Sequence, residues 1–266
     1  MRPRLQRCVL AGLITASIGA APVFGSAQNT EDKAKTLTAA RARYYNLRRL
    51  GLLDVHAALQ PNWDVLLAGT SAAEKAKTTL NNLRFWISID ATGQFRLSHD
   101  AKSLQANQVD YVEKIFKDVN TSVGGFFRTW SIFLLGSPFP DTETNCAIDR
   151  LASGYRFSQR QGELDVAIET DNEFAIIEIR VTGADRTSSL KPVLENTLTG
   201  LILRGYSASS HRTDGVYTNV TAELEYETVD GLNLLHKVNL NTISQGSSAN
   251  FEWSFSDYQI KKREDN

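Results

Sequence analysis

From Leu151 onward the chain alternates apolar and polar side chains between turn-forming residues, and this pattern limits its folds more than any other feature. Tyr155 and Phe157 share a phase, as do Leu164, Val166 and Ile168, and then Ala175, Ile177, Ile179 and Val181. Further sets follow at Val220, Ala222, Leu224 and Tyr226, and at Leu232, Leu234, Val238 and Leu240. A period of two places each set on one face of a strand. Gln161-Gly162, Asp171-Asn172, Asp214-Gly215, Asp230-Gly231 and Gly246 supply the turns, so successive strands pair antiparallel with their sequence neighbours. The last strand carries Phe251, Trp253 and Phe255 before its phase slips to Tyr258 and Ile260, which predicts a bulge near Ser256-Asp257.

The first half is mixed. Thr30 with Glu31 and Asp32 opens a helix of about 18 residues, in which Leu37, Ala40, Tyr44 and Leu47 recur at helical spacing until Gly51. Leu53, Val55, Ala57 and Leu59 then alternate along a strand that Pro61 ends. A second helix begins at Ser71, where Ser71 and Glu74 form a capping box, and Ala72, Ala76, Leu80 and Leu83 make its apolar stripe. Phe85, Ile87 and Ile89 face Phe95 and Leu97 across Ala91-Thr92-Gly93 in a hairpin. A helical insertion at about 101–140 carries Val112, Ile115, Phe116 and Val119, and reads as two helices joined at Gly124-Gly125.

The fold class expected is α+β: one curved antiparallel sheet of about 11 strands rolled into an incomplete β-barrel, with the helices covering its apolar concave face. No Pro, Gly or Ser-rich linker divides residues 28–266, which are read as a single domain.

Residues 1–27 read as a cleaved signal peptide, with Arg2, Arg4 and Arg7, an apolar stretch from Cys8 to Ala21, and Gly25-Ser26-Ala27 for cleavage. The apolar stretch is shorter than the ~20 residues needed to span a bilayer. Cys8 lies at its beginning, the wrong end for a lipid-modified cysteine. Without those three arginines, 26 basic residues face 30 acidic ones, and no phosphate-binding surface is evident, so nucleic acid is not an expected partner. Cys146 alone remains, so no intramolecular disulfide is expected.

Several short motifs accompany this order of elements: Tyr44-Tyr45-Asn46-Leu47 with Pro61-Asn62-Trp63-Asp64; Gly125-Phe126-Phe127-Arg128-Thr129-Trp130; and Val229-Asp230-Gly231-Leu232 with Phe255-Ser256-Asp257-Tyr258. Together they resemble an uncharacterised exported branch of the LolA/LolB-like superfamily, bacterial envelope proteins whose incomplete barrel is plugged by helices and holds acyl chains. The resemblance implies a periplasmic location and a lipid, acyl chain or lipoprotein as partner. The chain is longer than the classical carriers, with an extended helical insertion, and the arginine that latches their lid does not align onto any position here.

The most apolar run, Gly124 to Leu135, reads as a helical lid over the barrel mouth, with Gly124-Gly125 as its hinge, or as a core helix fastened to the sheet. The candidate cavity residues are Trp63, Trp86, Phe126, Phe127, Trp130, Phe133 and Leu134. Asp54 and His56 share one strand face, which is half of a catalytic or metal site. His236 has the phase of the apolar Leu234 and Val238, while His99 and His211 lie in unrelated contexts. No His-x-Glu, Cys-x-x-Cys or Gly-x-Ser-x-Gly pattern occurs, so neither enzymatic activity, a metal nor a cofactor is expected. The sequence is read as a monomeric carrier or binder of acyl chains with at most transient membrane contact. The alternative is an envelope interaction protein whose interior is filled by its own helices.

Overall fold

The computed structural model describes residues 30–68, 73–90, 92–100, 106–142 and 146–263. The signal-peptide reading of residues 1–27 and the Ser71 and Ala72 positions of the capping box lie outside them.

Helix α1 (Thr30–Ala42) is followed by β1 (Leu52–Pro61), a single turn of helix α2 (Trp63–Leu66) and α3 (Ala73–Asn81). The hairpin β2 (Phe85–Asp90) and β3 (Phe95–His99) precedes a long helix, α4 (Ala106–Leu134). Nine strands then run without interruption: β4 (Cys146–Leu151), β5 (Gly154–Gln161), β6 (Leu164–Asp171), β7 (Ile176–Thr182), β8 (Arg186–Thr197), β9 (Gly200–Arg212), β10 (Tyr217–Val229), β11 (Leu232–Ser244) and β12 (Ser247–Lys262). All twelve belong to one sheet, in the order β3-β2-β1-β12-β11-β10-β9-β8-β7-β6-β5-β4. Every pairing in it is antiparallel. The sheet is open, with β3 and β4 as its edges. The expected count of about 11 strands is one short, because β4 begins at Cys146, ahead of the alternating run.

The sheet wraps around α4. Phe127 lies 4.9 Å from the ring of Phe95 on β3 and 5.9 Å from that of Phe255 on β12. Those strands are three positions apart, roughly 14 Å in a flat sheet, so the sheet curls to bring both rings to one side chain. The inward phase of every long strand is buried, from Val55, Ala57 and Leu59 on β1 to Val238, Leu240, Trp253 and Phe255 on β11 and β12.

Three expectations about elements change. The first helix ends at Ala42 rather than running to Gly51. Tyr44 instead forms a parallel bridge with Leu201, the Tyr45 N–H donates to the Leu201 carbonyl at 2.9 Å, and the Leu201 N–H donates to the Arg43 carbonyl at 2.8 Å. This segment fills the edge of β9 beyond Gly205, where β10 no longer pairs. Second, α4 passes unbroken through Gly124 and Gly125, so no hinge divides it. Third, the short α2 follows β1 at once, capped by Asn62, whose Oδ1 accepts from the Asp64 and Val65 N–H groups at 3.1 and 3.4 Å.

Bulges account for the phase errors. The shift between His56 and Ala58 leaves Asp257 and Tyr258 opposite Ala57, with Asp257 at φ 53°, close to the bulge read from the sequence. A second shift inserts His236 between Lys237 and Leu235, and turns it out of the phase of Leu234. A third leaves Ile177 between Glu178 and Ile176, so Ile176 is buried and Ile177 is 51% exposed.

Candidate functional site

Helix α4 is the crossover that carries the chain from β3, at one edge of the sheet, to β4, at the other. Its inward residues Val112, Ile115, Val119, Val123, Phe126, Phe127, Trp130, Phe133 and Leu134 are all buried. Phe126 packs 6.0 Å from Trp253, and Phe127 meets Trp130 edge-on at 5.6 Å. The side of the interior formed by β1, β2, β3 and β12 is therefore filled by aromatic rings. The C-terminal end of the helix is clipped by the Tyr44–Leu47 segment. The Leu47 N–H donates to the Leu134 carbonyl at 2.8 Å, and Asn46 Nδ2 donates to the Gly136 carbonyl at 2.7 Å. The helix is thus tied at its end and packed along its length, and the expectation of two helices joined at Gly124-Gly125 gives way to one unbroken helix.

On the other side of the interior the filling is incomplete. A partly enclosed cleft of about 170 Å³ lies between the last turns of α4, the 137–141 loop and the inward faces of β5 to β8. Ile132, Phe133 and Phe139 form one wall, and Val166, Ile179, Val181 and Leu190 form the other. Thr129, Ser137, Gln159, Gln161 and Asp141 add polar groups. The 137–141 loop takes its shape locally, with Ser137 Oγ accepting from the Phe139 N–H at 3.2 Å, and Phe139 packing edge-on at 4.9 Å against Phe157 and 5.6 Å from Tyr44.

Five phenols lie in or against the core, with Tyr44, Tyr45 and Tyr206 buried and Tyr226 and Tyr258 half-buried. Burial pushes Tyr44, Tyr206, Tyr226 and Tyr258 far above the ordinary tyrosine value, and raises Tyr45 as well, so all five are neutral donors and acceptors in the folded chain. Tyr226 donates to the Leu203 carbonyl at 2.7 Å and Tyr258 donates to the Leu235 carbonyl. Tyr45 accepts from the Asn233 N–H at 2.7 Å. The Thr129 hydroxyl faces Tyr206, and the indole N–H of Trp130 faces Tyr226 without reaching hydrogen-bond geometry.

Of the seven cavity candidates, only Phe133 lines the cleft. Phe126, Phe127, Trp130 and Leu134 are packing residues of the filled side and the helix end. Trp63 is buried at the start of α2, 5.8 Å from Phe85, rather than at a rim. Trp86 sits between Ala58 and Ser98 in the sheet and is half-buried, in the phase opposite to the buried Phe85 and Ile87, and so on the outer face. Asp54 Oδ2 and His56 Nε2 do meet at 3.2 Å, but in an exposed position. Among the described residues no group of three His, Cys, Asp or Glu side chains is placed to hold a metal. His236 is exposed beside Glu227 at 3.8 Å, the outward turn of its bulge.

Sequence reasoning missed Gln159, Gln161, Asp141 and Leu190. Val166, Ile179 and Val181 carried a usable signal in their shared inward phase, whereas the polar residues carried none. No known protein family, curated protein or solved structure matches this chain. Among the described residues no helix is long and apolar enough to cross a membrane.

Proposed function

We propose that the protein is an exported envelope protein of the LolA/LolB-like kind, working in the periplasm, that binds an acyl chain or a lipid-modified partner in the cleft beside α4. One observation carries this reading: the inward residues of β6 to β8 line one wall of a partly enclosed cleft whose facing wall, Ile132, Phe133 and Phe139, is apolar as well. Burial of apolar surface there supplies about 0.8 kcal/mol for each methylene removed from water. A cavity of about 150 Å³ is known to take a benzene ring, and whole drug-sized ligands need about 300 Å³ or more, so this cleft takes the end of a chain and not its full length. No cofactor enters this function, and membrane contact is confined to loading and release.

The test is native mass spectrometry of gently purified protein, with uptake of a neutral alkyl amide as a second measurement. The expected result is bound lipid in the wild type and loss of both signals in Val181→Trp, which fills the cleft, with retention in Trp86→Ala on the outer face. Protein that carries no lipid and takes up no amide overturns the proposal. That outcome favours a second reading, an interaction protein with a filled interior, which the packing of Phe126, Phe127 and Trp130 against Trp253 and Phe255 already supports on one side.

A further inference from the structure

We infer that the cleft selects apolar groups whose polar end is uncharged or cationic, and turns away a free carboxylate. The inference rests on the cleft being the acyl site proposed above, and extends it to the chemistry of the head group. Among the described residues that line the cleft there is no Lys, Arg or His. Thr129, Ser137, Gln159 and Gln161 are neutral groups that both donate and accept, which suits an ester, an amide or a hydroxyl. Among the described residues the one charged lining residue is Asp141, exposed on the loop that forms the wall. A carboxylate entering here gives up water, finds no cation in the lining and approaches a like charge, whereas an ammonium group meets an opposite one. An acyl chain thus fits when its own carboxyl is already blocked.

Two nearby cations on α1, Lys33 and Arg41, run against this preference, both close enough to Cys146 to favour its thiolate. Arg41 also has a buried Nη2 with no hydrogen-bond partner among the described residues. Cys146 pairs across the sheet with Gln159, so Arg41 stands near one end of the cleft, although it is not part of the lining.

The experiment compares octanoate, N-methyloctanamide and octylamine by isothermal titration calorimetry at neutral pH, on the wild type and on Asp141→Asn. We expect the amide and the amine to bind roughly fivefold or more tightly than octanoate, the scale of one partly screened charge contact. Asp141→Asn is expected to bring the ratio of amine to amide affinity toward one. Octanoate binding as tightly as the amide overturns the head-group inference while leaving the cleft as an apolar site, and assigns the head group to the Lys33 and Arg41 side chains. Failure of all three compounds to bind overturns the cleft reading itself.

Discussion

The phenol of Tyr44 accepts from the Ile176 N–H at 2.8 Å and donates to the Phe174 carbonyl at 3.0 Å. A phenylalanine there keeps the packing against Phe133 and Phe139 but leaves the Ile176 N–H buried and unpaired. Tyr44→Phe is expected to cost about 1–3 kcal/mol in urea-unfolding free energy. Cys146 is buried, and its thiol is pushed up to about 11, mainly by desolvation. Native protein at neutral pH is therefore expected to resist iodoacetamide, with full labelling only after denaturation. At this scale the sequence was legible wherever alternation ran undisturbed, and misleading wherever a bulge intervened. Ile177 and His236 fall on the inward phase of the sequence, but one extra backbone residue in each strand turns them out. Such an insertion depends on the partner strand, which local periodicity does not report.

Helix α4 offers the sharpest element-level test, because its glycines suggested a hinge and its backbone contains none. A Cβ built on Gly124 meets only the Phe95 ring, at 3.8 Å, an ordinary contact. Gly124→Ala is expected to stabilise the protein by about 0.5–1 kcal/mol, raising the urea midpoint; a marked loss of stability would restore the hinge. Gly205 behaves in the opposite way, since a Cβ there would lie 2.4 Å from the Ala222 carbonyl oxygen, where β9 and β10 make their last pairing. The junction of α2 with β12 is expected to weaken in acid. Asn62 donates to Glu252 at 2.9 Å and Lys237 lies 3.2 Å away, and together they hold that carboxyl below its ordinary range. A depressed folded value makes this stabilisation complete above the unfolded glutamate pKa of about 4.3, and it is lost as pH falls through the lower folded value. The stability gap between wild type and Glu252→Gln should accordingly close in acid, measured by denaturant unfolding across that range. Hairpins with Asp-Gly or Gly turns were readable from sequence because their determinants are local. The end of α1 was not, because the backbone of Tyr44 and Tyr45 leaves the helix to pair with Leu201, more than a hundred residues away in sequence.

At the scale of the whole molecule, β12 joins the N-terminal strands to the rest of the sheet, pairing β1 on one side and β11 on the other. Deleting Ser247–Lys262 is expected to abolish cooperative unfolding, since it strips β1 and β11 of a partner each and removes Trp253 and Phe255 from the packing around α4. The meander and its burial by helices were visible in the sequence. The cleft was not, and the reason is geometric. The run from Gly124 to Leu135 is apolar around most of its circumference, so nothing in it distinguishes the side facing Trp253 from the side facing Val181. Which side is filled depends on where a helix fixed at Asn46 and Leu47 happens to lie against a curved sheet. The pairing of β1 with β12 also sets a schedule. A nascent chain makes β1 early and must wait roughly two hundred residues, a very non-local contact, before its inner edge is satisfied. Until then the two ends of the future sheet are separate, so the sheet is completed only when the last strand has been made.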